Sequence, residues 1–98
     1  MVILGIDPGL AIVGYGVLEY EKSRFRVLDF GAIRTPAGMR TEDRLCKIHR
    51  GMNELIDRYR PSEMAVEELF FVKNITTGIS VAEARGVILL AAREKGLN

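Results

Sequence analysis

The chain has 98 residues, enough for one compact domain, because chains commonly divide at roughly 100 to 200 residues per domain. Hydrophobic residues make up 48% and charged residues 28%, a globular composition that excludes a wholly disordered chain and a coiled coil. The net charge of +1 carries no overall basic signal for nucleic acid, so a nucleic-acid partner has to be recognised locally.

Three local features bear on location. The longest apolar stretches, residues 1–4 and 87–92, are far shorter than the ~20 residues that cross a bilayer, so we expect no membrane span. Gly5 and Asp7 interrupt the N-terminal apolar run that a secretory signal would need. Cys46 is the single cysteine and excludes an internal disulfide. We expect a cytoplasmic protein in which Cys46 packs as a small core residue.

The first third of the chain predicts strands. Residues 2–6 form a short β-branched run that stops at an Asp-Pro-Gly turn, as in a strand buried on both faces. Residues 12–19 and 24–30 follow as two strands across a polar connection of hairpin length. Residues 31–34 could prolong the third strand before a loop rich in proline and glycine.

The rest of the chain predicts helix, strand and helix. Apolar residues at spacings of three and four predict a helix over roughly 41–60, with Thr41 as N-cap. Residues 63–70 predict a fourth strand. A second helix is expected over about 77–95, with Gly96 as its C-cap.

This element order predicts an α/β domain over residues 1–98, with a mixed sheet flanked by helices. The chain ends on a helix cap with no strand after it, which would leave the fourth strand at a sheet edge. We therefore expect a truncated domain that lacks a C-terminal strand and helix.

Two carboxylates mark the candidate chemistry. Asp7 ends the first strand and Glu67 lies near the end of the fourth, so parallel neighbours would bring both to one sheet edge, about 4.8 Å apart. Such a pair is a natural half-site for Mg²⁺. The alternative is that Asp7 caps the turn before Pro8 and that Glu67 and Glu68 flank an exposed sheet edge. Strand alternation lets at most one of these glutamates face Asp7.

Other side chains carry weaker signals. Phe70 and Phe71 precede Lys73 and Asn74, a combination that can stack on bases and contact phosphate, or simply fill the core and a solvated loop. The first helix carries cationic residues that we interpret as a solvated face, because carboxylates are interleaved: Arg44, Lys47, Arg50 and Arg58, with Glu54 and Asp57. We interpret His49 as a surface or edge residue and not as a ligand.

The second helix has small residues around Arg85-Gly86. Gly86 would let a neighbouring element approach closely, which suits either self-association or packing against the sheet. The small residues that flank this pair are Ala82, Ala84, Ala91 and Ala92.

Five separated blocks of the chain resemble the RuvC family of bacterial Holliday junction resolvases. The blocks, in family order and spacing, are Gly5-Ile6-Asp7-Pro8-Gly9, Gly14-Tyr15-Gly16, Ala65-Val66-Glu67-Glu68-Leu69-Phe70, Lys73-Asn74 and Ala84-Arg85-Gly86. The first block alone indicates only the wider ribonuclease H-like superfamily. The resemblance spans the whole chain.

The resemblance implies a ribonuclease H-like fold and a homodimer that nicks two opposed strands of a four-way DNA junction with Mg²⁺. By that resemblance Asp7 and Glu67 are catalytic and metal-binding, with two Mg²⁺ per complete site. Phe70 would stack on a base, and Lys73 and Asn74 would contact DNA. A branch-migration motor complex is a further implied partner.

The family has two later acidic ligands that this sequence does not reach, so we expect these 98 residues alone to be inactive. Two other functions stay open. One is an actin-like or sugar-kinase-like ATPase of the same superfamily, although Leu10-Ala11-Ile12 follows the glycine where that group usually has a hydroxyl. The other is a non-catalytic domain that binds DNA or a partner.

Overall fold

A computed structural model describes residues 1–67 and 75–97, with backbone alone for 75–77. The elements follow the predicted order of three strands, a helix, a strand and a helix. Their bounds are β1 (Val2–Asp7), β2 (Ile12–Glu21), β3 (Arg24–Arg34), α1 (Thr41–Tyr59), β4 (Glu63–Val66) and α2 (Ile75–Glu94). In the described ranges no helix is long and apolar enough to span a membrane.

The four strands form one mixed sheet in the order β3-β2-β1-β4. β1 is antiparallel to β2 and parallel to β4. α1 is the crossover that carries the chain from β3 at one edge of this sheet to β4 at the other. β2 and β3 form a hairpin whose two turn residues, Lys22 and Ser23, have φ of 51° and 63°, as a tight turn between twisted strands requires. The predicted mixed α/β sheet is confirmed.

One face of the sheet packs against both helices. Strand alternation turns Leu4 and Ile6 of β1 toward this face, and Val13 and Val17 of β2 join them. The helix residues buried in the same cluster are Ile48, Met52 and Ile56 of α1 with Ala84, Ile88, Ala91 and Ala92 of α2. A single core therefore lies between the sheet and the helix pair.

The opposite face of the sheet is open in the part of the chain that the structure describes. Phe30 on β3 is 78% exposed and Val27 is 60% exposed. A bulge between Val17 and Leu18 shifts the β2–β3 register, so that Val27 lies opposite Leu18. Apolar side chains thus remain in solvent on the side away from α1 and α2.

The predicted C-cap of α2 is confirmed, and the predicted N-cap of α1 is wrong. Gly96 has φ of 80°, its N–H donates to the carbonyl of Arg93, and the N–H of Leu97 donates to the carbonyl of Ala92. This is the Schellman arrangement that the predicted Gly96 cap requires. Thr41 is not an N-cap: it is the first helical residue, and Arg40 precedes it in an extended conformation without a side-chain capping bond.

Two further predictions are corrected. Cys46 is exposed, not buried in the core, because it lies two residues before the buried Ile48 and thus about 200° away around α1. Strand β4 ends at Val66, and the predicted continuation over 68–70 lies outside the described residues. A Cβ added at Gly86 would meet no described atom within 4 Å, so close packing within the chain does not explain this glycine.

A polar cluster joins the end of α1 to β3. The hydroxyl of Tyr59 donates to Asp29 Oδ2 at 2.6 Å, and that of Tyr15 donates to the same oxygen at 3.5 Å. The backbone N–H of Phe30 donates to Asp29 Oδ1 at 2.8 Å. These bonds, the Tyr59 bond foremost, lower the pKa of Asp29 because they stabilise its charged form.

The cluster gives a prediction on titration. In Tyr59→Phe the pKa of Asp29 should rise toward its ordinary value, and in Tyr15→Phe it should rise less, because the Tyr15 bond is longer. Carboxyl-carbon NMR titration measures both. Since the folded-state pKa is lowered, the stabilisation is present above the unfolded pKa and is lost as pH falls through the folded pKa. An unchanged Asp29 pKa in Tyr59→Phe would contradict this account.

The turn after Asp7 has no room for a side chain at Gly9. A Cβ there would collide with the backbone carbonyl of Ile12. Gly9→Ala should therefore lower the free energy of unfolding by about 1–3 kcal/mol, the usual cost of overpacking. Gly16→Ala is the matched control, because no described atom lies within 4 Å of that Cβ position. Urea unfolding measures both, and equal stabilities of the two variants would refute the steric argument.

Candidate active site

The parallel pairing of β1 with β4 places Asp7 beside Glu67. Ile6 lies opposite Val66, and the next residue on each strand is a carboxylate. The N–H of Glu67 donates to the carbonyl of Ile6 at 3.1 Å, which continues the ladder by one step. Ile6 faces the core, so by alternation Asp7 and Glu67 face the open side of the sheet.

The two carboxyl groups interact directly. A hydrogen bond with Asp7 raises the pKa of Glu67, the negative charge of Asp7 raises it further, and a smaller effect comes from desolvation. Both side chains are exposed. Two carboxylates this close repel when both are charged, and a cation between them relieves that repulsion. The structure thus brings together the predicted pair, while the catalytic and metal-binding roles remain predictions.

Small residues surround Asp7 on the open face. Asp7 lies opposite Gly14 of β2, and Gly14 lies opposite Ala32 of β3. A Cβ on Gly14 would lie 3.5 Å from the Cβ of Asp7 and 4.0 Å from its Oδ2. In the next row, Gly5 lies opposite Gly16. The sheet surface beside the carboxylates therefore lacks large side chains, and a large ligand can approach it.

The donor set at this site is small. Within the ranges 1–67 and 75–97, no group of three or more His, Cys, Asp or Glu side chains is arranged to hold a metal ion. Asp7 and Glu67 provide carboxylate oxygens, the donors that Mg²⁺ prefers, and leave further positions for water and phosphate. The two carboxylates fit half of a site for a divalent cation, and their role as Mg²⁺ ligands stays a prediction.

The predicted DNA contacts, Phe70, Lys73 and Asn74, lie outside the described residues, as does Glu68. They stay predictions. His49, expected to be a surface or edge residue and not a ligand, has its Nε2 2.8 Å from Glu94 Oε1 on α2. Sequence reasoning missed this partner because the two residues are far apart in the chain.

Sequence reasoning also missed the environment of the cationic residues on α1. Lys47, Arg50 and Arg58 line a groove against β3, where Arg34 joins them. The spacing of 47, 50, 54 and 58 along a helix could have indicated one shared face. The contribution of Arg34 depends on tertiary packing, which no local pattern encodes.

Known proteins resemble this chain along its whole length. The family model for crossover junction endodeoxyribonuclease RuvC matches residues 3–98. The crossover junction endodeoxyribonuclease RuvC of Halothermothrix orenii is 54% identical over 97 residues, which cover 99% of this chain and 59% of that protein. The chain thus spans well under two thirds of the length of this relative.

Solved structures agree with the sequence relatives. Thermus thermophilus RuvC in complex with Holliday junction substrate matches with a TM-score of 0.91 and 35% identity, over 99% of this chain and 62% of that one. The Aquifex aeolicus PPX-GPPA enzyme matches with a TM-score of 0.57 at 18% identity, over 99% of this chain and 34% of that one, and shows a shared fold only. From its sequence and its ribonuclease H-like sheet, the chain belongs to the RuvC family of crossover junction endodeoxyribonucleases.

Proposed function

We propose that this chain carries part of the active site of a metal-dependent endonuclease that resolves four-way DNA junctions by paired nicks. The observation that supports this best is the Asp7 and Glu67 pair, adjacent in register on the open sheet face of a RuvC-family chain. The solved relative bound to a Holliday junction substrate supports the same choice of DNA. Because the chain spans 59% of a relative's length, the complete activity belongs to a family-length protein.

Asp7 and Glu67 would hold Mg²⁺, with two ions in a complete site that has further acidic ligands. When bound, such ions stabilise charge on phosphate oxygens and promote attack by water. The protein residues supply the rest of the site. The carboxylates fix the position of the cations, and the glycines beside them let a phosphodiester approach Asp7. Phe70 would stack on an unpaired base, while Lys73 and Asn74 would contact phosphate.

Paired nicks need two active sites, so we propose a homodimer. The outward side of α2 supports it: Ile79 is 57% exposed, Leu90 is 54% exposed, and the space above Gly86 is open. These three residues are spaced by seven and four, so they lie on one stripe of the helix. Ala84, Ala91 and Ala92 are buried in the core and do not belong to this stripe.

Two finer proposals rest on the family resemblance. One is an interaction with a branch-migration motor complex. The other is a cytoplasmic location, where bacterial chromosomal junctions form. An ATPase function receives no support from the match to the PPX-GPPA enzyme, since that likeness extends only to the fold.

The carboxylate pair gives a prediction on catalysis. In a family-length protein, Asp7→Asn or Glu67→Gln should reduce junction cleavage at least a hundredfold, because a lost metal removes several kcal/mol of transition-state stabilisation. Junction binding should persist, since it rests on phosphate contacts over a wide surface. Gel cleavage with Mg²⁺ and gel shift on a labelled four-way junction measure the two effects.

Glu63→Gln is the matched control for Glu67→Gln. Glu63 is an exposed glutamate on β4, four residues before Glu67 and on the same sheet face, where it lies opposite Ile3. The Glu63→Gln variant should cleave the junction at the same rate as the unmodified protein. Near-normal cleavage by Asp7→Asn, or equal loss in Glu63→Gln, would disprove the assigned role. We expect the 98 residues alone to lack junction cleavage.

The α2 stripe gives a prediction on assembly. In a family-length protein, the double variant Ile79→Glu with Leu90→Glu should shift the species in analytical ultracentrifugation from dimer to monomer, because two charges would be buried at the interface. Val27→Glu is the control, since Val27 is also exposed and apolar but lies on β3. A dimer that survives the double change would rule out α2 as the interface.

A further inference from the structure

A groove separate from the carboxylate pair lies between the β3 edge of the sheet and α1. Its volume is about 570 Å³. Tyr15, Ala32, Ile33 and Arg34 form the sheet side, and Lys47, Arg50, Glu54 and Arg58 are among the residues of the helix side. We call this the β3–α1 groove.

The β3–α1 groove concentrates positive charge. Four cationic side chains line it with one carboxylate, a local charge of +3 in a chain whose net charge is +1. In the described parts of the chain, none of the four forms an ion pair; the pairs found there are Arg26–Glu19, His49–Glu94 and Lys95–Asp57. The nearby Asp29 accepts hydrogen bonds from Tyr59 and Tyr15 and also interacts with the charge of Arg58, which lies 5.5 Å from the ring of Tyr59. The groove therefore has cations available for an anionic ligand.

Close packing fixes the two walls of the β3–α1 groove. Gly51 lies on α1 against Ile33 of β3, and a Cβ at this glycine would be 2.8 Å from Ile33 Cδ1. The bond from Tyr59 to Asp29 ties the last turn of α1 to β3 at the other end. The backbone positions that carry the cations of α1 are thus fixed relative to that of Arg34.

The cations are arranged in a line. Lys47 and Arg58 are 11 positions apart on one helix face, which corresponds to about 16 Å along the axis. Over that distance, one strand of duplex DNA advances by about five phosphates. Apolar side chains line the groove as well, Tyr15, Ile33 and Leu55 among them, so the regular line of cations, and not the apolar area, indicates the class of ligand. A regular line of phosphates fits this surface better than an acidic protein does.

The β3–α1 groove lies at the same end of the sheet as the carboxylates. Asp7, Gly14 and Ala32 occupy one row across β1, β2 and β3, and Ala32 is on the rim of the groove. Two strand spacings separate Ala32 from Asp7, about 10 Å. The groove lies on the helix side of β3, whereas Asp7 faces the open side of the sheet. A DNA molecule that contacts both therefore passes around the β3 edge of the described sheet, a path shorter than one helical turn of about 34 Å.

We infer that the β3–α1 groove binds the sugar-phosphate backbone of one duplex arm of the DNA substrate. This inference rests on the proposed function insofar as the substrate is DNA. It assigns DNA contacts to Arg34, Lys47, Arg50 and Arg58, apart from those proposed for Lys73 and Asn74.

The test compares two double variants of a family-length protein. Lys47→Gln with Arg50→Gln removes two groove charges; Lys22→Gln with Arg24→Gln removes two charges at the exposed hairpin tip, at the opposite end of the sheet from Asp7. Fluorescence anisotropy with a labelled four-way junction and a labelled duplex, in EDTA from about 50 to 200 mM salt, gives affinities and their salt dependence. Far-UV circular dichroism confirms that both variants fold.

We expect the groove variant to bind both DNAs more weakly at low salt. Raising the salt from about 50 to 200 mM weakens DNA binding by both proteins, but the loss for the groove variant should be about tenfold smaller. The reason is that each phosphate contact contributes about 0.9 to the slope of log affinity against log salt concentration, and the variant lacks two such contacts. The hairpin variant should match the unmodified protein. Unchanged binding by the groove variant, or an equal change in both variants, would overturn the inference and favour an acidic protein or no ligand.

The same measurement separates this inference from the proposed function. If the unmodified protein binds neither the junction nor the duplex, the proposed function fails. If it binds the junction, and the groove variant binds equally well with the same salt slope, the proposed function stands and only the groove assignment fails.

Discussion

The parallel pairing of β1 with β4 is the constraint on which the candidate site depends. These strands are separated in sequence by a hairpin and a helix, yet the bond from the Glu67 N–H to the Ile6 carbonyl sets their register at the carboxylate pair. A slip of one residue would turn every β4 side chain to the other face and remove Glu67 from Asp7. The core fixes the register, because Val66 and Met64 pack against it on the helix side.

The two faces of the sheet separate the residues that form the core from the two carboxylates of the candidate site. The face toward α1 and α2 holds the apolar core, and the opposite face holds the carboxylates beside glycines. The repulsion between these two carboxylates costs little folding energy, because both side chains are exposed and solvent screens their charges. Glycines weaken an ordinary strand, but here Gly14 and Gly16 keep the open face of the sheet beside Asp7 free of side chains.

Much of this arrangement could be predicted from the sequence. Strand and helix periods indicated all six elements, and strand ends indicated the Asp7 and Glu67 pair. The predictions that failed depended on rotation or capping within a helix: Cys46 lies on the wrong side of α1 for the core, and Thr41 enters the helix instead of capping it. The interleaved carboxylates predict a solvated cationic face on α1, and Arg50 and Arg58 are exposed. Local spacing cannot reveal that Arg34 of β3 lines the same groove as these residues.

The bulge between Val17 and Leu18 divides the β2–β3 hairpin into two parts with different registers. On one side of the bulge, β2 and β3 carry the row of residues that lies beside Asp7. On the other side, the hairpin extends to the two-residue turn at Lys22 and Ser23, and the residues from Glu21 to Val27 are exposed. Because little core packing constrains these exposed residues, substitutions at the tip should leave the core intact. Insertions there would lengthen the hairpin without moving the sheet end that carries Asp7 and Glu67, which makes the tip a suitable place for a tag or a fused domain.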